Sequence, residues 1–80
     1  MKVEIRSYSR DHKNGELLHT WTLDRNGRAI CDDASEQEEV EHDGIIGRGR
    51  KYFPKDGEAF LRNYPHEYAN SSFIRAIIIE

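Results

Sequence analysis

Apolar and polar residues alternate with a period of two in the first third of the chain. From Lys2 to Ser9, Val3 and Ile5 alternate with Lys2, Glu4 and Arg6; from Leu17 to Asp24, Leu17, His19, Trp21 and Leu23 alternate with Thr20, Thr22 and Asp24. That period puts each set on its own face of a strand, so each strand has one face to bury and one to wet. Asn14-Gly15 and Asn26-Gly27 punctuate the runs. Both residue types tolerate positive φ, so the two dipeptides predict turns, and with a third strand over Arg28 to Asp33 they predict a three-stranded meander. At Asn26-Gly27 two registers compete. A two-residue turn sets Ile30 opposite Leu23 on the core face, and is preferred because it buries Ile30; a three-residue turn pairs Asp24 with Arg28 and points Ile30 outward.

Past the meander the period changes. Ser35-Glu36-Gln37-Glu38 has the spacing of a capping box and predicts a short acidic helix, anchored by Val40 and ending before Gly44. Ile45 and Ile46 return to the core, and Lys51 to Phe53 offers a short strand ended by Pro54. Asp56 is positioned to cap a second helix from Gly57 to about Tyr64, with Glu58 in its first turn and Ala59, Phe60, Leu61 and Tyr64 on one face. Pro65, lacking an N–H, should end or kink it. Asn70-Ser71-Ser72 turns the chain into a final strand, "FIRAIIIE", whose Phe73, Ile74, Ile77, Ile78 and Ile79 are dense enough for an interior strand. Its buried face is either Ile74, Ala76 and Ile78 or Phe73, Ile77 and Ile79.

These elements make an α+β domain spanning residues 1–80: a small, mainly antiparallel four- to five-stranded sheet, one main packing helix and one short acidic helix. The expected core is Val3, Ile5, Leu17, Trp21, Leu23, Ile30, Ile46, Phe60, Leu61, Ile74, Ala76 and Ile78. A chain of 80 residues buries only about 60% of the surface it exposes when unfolded, so that core is small.

Charge sharpens this picture. The net charge is −3, but seven acids and no Lys or Arg fall between Asp32 and Asp43, so the chain is an acidic segment on a mildly basic body. The single cysteine, Cys31, has no internal disulfide partner, and the sequence shows neither a signal-like segment nor an apolar run long enough to cross a bilayer. A cytoplasmic protein with no membrane association is expected.

Candidate chemistry is sparse. "GRGRKYFPKDG" mixes bases with aromatics, and Arg48, Arg50, Lys51, Tyr52 and Lys55 form a possible interaction surface, suited to phosphates and stacked bases. It lacks the Walker spacing, and Gly44-Ile45-Ile46-Gly47 offers isoleucines where nucleic-acid-binding Gly-x-x-Gly loops present polar groups. The alternative is a solvated strand whose Tyr52 or Phe53 packs inward. His12, His19, His42 and His66 include no His-x-His pair; Glu38 and Glu39 precede His42 at helical spacing, but the second such element that a carboxylate-bridged metal site requires is missing. Cys31 needs a base such as His19 within reach to act as a nucleophile. No catalytic, cofactor-binding or metal residues are therefore assigned, and no cofactor.

One resemblance spans most of the chain. Trp21-x-Leu23-Asp24 with Gly27, then Pro54-x-Asp56-Gly57-x-x-Phe60-Leu61 and a final Arg75-Ala76 strand, resembles small uncharacterised bacterial proteins of similar length. Its matched positions are turns, caps and core, so it implies no catalytic residue and no activity. The expectation is a small non-enzymatic interaction or regulatory module with a protein partner or self-association. The alternative is weak single-stranded nucleic-acid binding through residues 48–55.

Overall fold

The alternating runs form the strands they predict. The computed structural model describes residues 1–9, 11, 14–68, 71 and 73–80; His12, and Asn70 and Ser72 of the expected turn, lie outside the described residues. In chain order the elements are β1 (Lys2–Ser7), β2 (Glu16–Leu23), β3 (Ala29–Cys31), α1 (Ala34–Asp43), β4 (Ile45–Gly47), β5 (Arg50–Tyr52), α2 (Gly57–Glu67) and β6 (Ile74–Ile79). The fold is α+β. Strands β3-β2-β1-β6 form an antiparallel four-stranded sheet in that order, and β4 and β5 pair separately as a two-stranded sheet. The short strand near Lys51 thus joins Ile45–Gly47 and not the main sheet.

One face of the sheet carries Val3, Ile5, Trp21, Ala29 and Cys31, all buried, and α2 lays Phe60, Leu61 and Tyr64 on it. Trp21, Phe60 and Tyr64 form a three-ring cluster: centroids are 4.8 Å apart for Trp21 and Phe60 and 5.2 Å for the edge-on Phe60 and Tyr64. Each such pair contributes about 0.5–1.5 kcal/mol beyond its area burial. Ile74, Ala76 and Ile78 are the β6 residues that pack against this core, which settles the face of the last strand.

Three expected core residues lie outside it, each for a local backbone reason. Ile30 is exposed because the second hairpin takes the three-residue turn: Thr22 pairs with Ile30, and the Asp24 N–H donates to the Arg28 carbonyl. Gly27 has φ +81, and the Asp24 carboxylate accepts from the N–H groups of Asn26 and Arg28, so the turn satisfies its own donors. Those bonds outweigh the burial of one isoleucine. Leu17 is displaced by a bulge. The ladder steps from Ile5↔His19 to Arg6↔Leu17, skipping Leu18, and the extra residue turns Leu17 to the outer face, where it and Leu18 are each 45% exposed. In β4 it is Ile45 that is buried, while Ile46, 55% exposed, points away opposite Lys51.

The helix ends also differ from expectation. Asp33, not Ser35, caps α1: its side chain accepts from the Glu36 N–H at 3.0 Å. Asp56 is the N-cap residue of α2, though without a side-chain cap bond. Pro65 does not end α2, which runs on to Glu67. In the last turn a missing N–H forfeits a single intrahelical bond, and the buried Tyr64 beside it holds the helix to the sheet.

Candidate functional site

The basic segment forms the β4–β5 hairpin. Arg48 and Gly49 both have positive φ, +53 and +80, the geometry of a two-residue type I′ loop. Arg48 donates from Nε to His66 Nε2 at 3.1 Å, and the Ile46 N–H donates to Glu67 Oε2 at 2.8 Å, so the hairpin is tied to the last turn of α2. Arg50, Lys51 and Lys55 are exposed. None of the three has a carboxylate partner among the described residues. With Arg62 they line a broad open groove that also holds Asp56 and Glu58. Of the two aromatics, half-buried Tyr52 lines this groove and Phe53 does not. Tyr52 packs toward the core, and the Phe53 ring lies so close to Gly44 that a Cβ there would stand 3.0 Å from it.

The acidic helix does not neutralise the hairpin. Glu41 of α1 pairs with Arg28 in the second turn, His42 Nδ1 sits 2.7 Å from its neighbour Asp43, and Glu36 turns inward to accept from Tyr64 Oη at 3.3 Å. Burial raises the Tyr64 and Tyr68 phenols above their usual range, Tyr68 also feeling Glu36, Glu67 and Glu39. Among the described residues no three His, Cys, Asp or Glu side chains gather as a metal site. Cys31 is buried, its thiol pushed up to about 11, first by desolvation and then by the charges of Asp32, Glu36 and Asp33; the Asp33 N–H bonded to Sγ pulls the other way. His19, the base it would need, directs Nε2 toward Glu36 Oε1, 3.8 Å away. At neutral pH Cys31 is a protonated packing residue.

The sheet edges differ more sharply than any side-chain cluster. At one edge, bonds from Asp24 N–H to the Arg28 carbonyl and from Asp32 N–H to the Thr20 carbonyl fix which β3 residues face β2, leaving Ala29 and Cys31 to face outward. Both are sealed. The Ala29 N–H donates to the Pro54 carbonyl at 2.8 Å, and the Gln37 side chain takes the Cys31 N–H on Oε1 (2.6 Å) while giving Nε2 to the Ala29 carbonyl (3.3 Å). The Gln37 amide thus stands in for a neighbouring strand.

At the other edge, the Tyr8 N–H donates to the Phe73 carbonyl at 2.6 Å, which directs Phe73, Arg75, Ile77 and Ile79 toward β1 and the main-chain groups of Ile74, Ala76 and Ile78 outward. The Ile74 N–H is held by Ser71 Oγ at 3.0 Å. Among the described residues nothing bonds the outward N–H and C=O groups of Ala76 and Ile78. The strand has no Pro, Lys or bulge to blunt it. Arg75, its one charge, lies over the Tyr8 ring at 5.6 Å. The apolar density that marks β6 as a strand points to the sheet interior, but β6 pairs only with β1 and closes the sheet as an edge. Its being an edge depends on sheet order, and the role of Gln37 depends on where α1 crosses.

Comparison with known protein families, with curated proteins and with solved structures gave no match to this chain.

Proposed function

We propose that the chain is a small non-enzymatic interaction or regulatory module of the cytoplasm that binds by strand addition at β6. The observation carrying this reading is the asymmetry of the sheet: a side chain and a loop carbonyl seal the β3 edge, and the β6 edge presents free main-chain donors and acceptors along a run of β-branched residues. An added strand gains affinity from those main-chain bonds and specificity from alternate side chains. Among the described residues no helix is long and apolar enough to cross a membrane. Cys31, held as a thiol, does not supply a nucleophile.

The basic hairpin carries less. With Phe53 against Gly44 and Tyr52 half-buried against the core, Arg50, Lys51 and Lys55 have beside them one partly covered ring and no run of stacking aromatics, and weak contact with polyanions is what such a patch supports. Ala76→Pro tests the main reading, because it removes an outward N–H and leaves the ladder to β1 with all its donors. Proteins retained by the wild-type chain from a nuclease-treated bacterial extract should be lost by the Ala76→Pro chain at equal loading. Equal retention by both places binding elsewhere.

A further inference from the structure

We infer that the strand β6 receives is β6 of a second copy, paired antiparallel about a two-fold axis at Ala76, so that two four-stranded sheets become one continuous sheet. This rests on the strand-addition reading and names its partner. An antiparallel pair of identical strands is isologous: each residue meets a different one except at the axis.

With Ala76 on the axis, the hydrogen-bonded pairs are Ala76 with itself and Ile74 with Ile78 of the second copy. These are the residues whose main-chain groups point outward. Even with the Ile74 N–H left on Ser71 Oγ, about four intermolecular bonds form without breaking one inside either copy. The smallest side chain of the strand then sits where two identical side chains must meet.

The side chains fit the same register. On the outer face Phe73, 60% exposed, meets Ile79 of the second copy, and Arg75 meets Ile77, so neither arginine faces the other. Residues 74–79 contain no carboxylate to repel its symmetry mate. Beside the strand, Pro65 of α2 and its C-cap Tyr68, with Ser71 and Ala76, line a groove of about 290 Å³. Its β6 wall is Arg75, Ala76 and Ile77, centred on the axis of the pairing. A single-strand contact buries less than the roughly 1,600 Å² of a standard interface, so a dissociation constant on the order of 10–100 µM is expected.

Sedimentation velocity between about 5 µM and about 1 mM tests the pairing, with two charge variants at Ile77 that leave the main chain untouched. Ile77→Lys keeps the fold, since Glu4 is its cross-strand neighbour on β1, and sets like charges against Arg75 twice by symmetry. It should weaken dimerisation about five-fold or more, and Ile77→Glu should tighten it by a similar factor. Circular dichroism confirms that both variants fold. A wild-type chain that stays monomeric to about 1 mM, or dimerises with an affinity indifferent to both substitutions, overturns the pairing. The strand-addition reading falls separately, only if the wild-type chain also captures nothing that the Ala76→Pro chain loses.

Discussion

Gly57 opens α2 against the β2–β3 turn, its N–H donating to the Gly27 carbonyl at 2.8 Å. A Cβ there would stand 2.5 Å from that oxygen and 2.6 Å from Leu23 Cδ1. Gly→Ala in a helix ordinarily stabilises by up to about 1 kcal/mol; here the sign reverses, and Gly57→Ala should cost about 1–3 kcal/mol, read as a lower urea midpoint. An unchanged or raised midpoint contradicts the seating of α2. Alkaline titration is governed by Cys31, Tyr64 and Tyr68. All three favour the protonated form in the folded chain, so their contribution is complete at low pH and is lost as the unfolded chain ionises first. For Cys31, raised from 9.0 to about 11, stability should fall across that interval. Urea midpoints taken from pH 8 to 11 should decline, and thiolate absorbance at 240 nm in the folded protein should rise near pH 11. A thiol titrating near 9 refutes its burial.

At the scale of elements, alternation and turn chemistry mark β1, β2 and β3 and an apolar helical face marks α2, because each is a local property; the dense apolar run of β6 marks a strand but points to the sheet interior, and the sheet order puts it at the edge. The pattern and the structure part where a single backbone event resets the phase. The extra residue at Leu18 reverses Leu17, and the three-residue turn at Asn26-Gly27 reverses Ile30; neither changes composition, so neither leaves a mark in the hydrophobic pattern. The capping-box spacing points to Ser35, and the chain caps α1 two residues earlier, at Asp33. The basic hairpin is legible as a cluster of charges with an aromatic that packs inward; what the sequence does not show is that Tyr52 packs on the core while still lining the basic groove.

The whole molecule is a polar chain of 80 residues whose one helix-covered sheet has a sealed edge and an open one. Small proteins commonly blunt both edges with charge, Pro or a bulge. Here Gln37 and Pro54 protect β3, and β6 ends the sheet in Ile74–Ile79 with a single arginine. That an antiparallel sheet has two edges follows from the strand pattern; which edge is open emerges only when β6 returns beside β1. The central claim is this asymmetry, and amide hydrogen exchange read residue by residue by NMR tests it most directly. In dilute protein the Ala29 and Cys31 amides should be protected and those of Ala76 and Ile78 should exchange freely, gaining protection as concentration rises and β6 pairs. Protected Ala76 and Ile78 amides at the lowest concentration, or an unprotected Cys31 amide, would contradict the account.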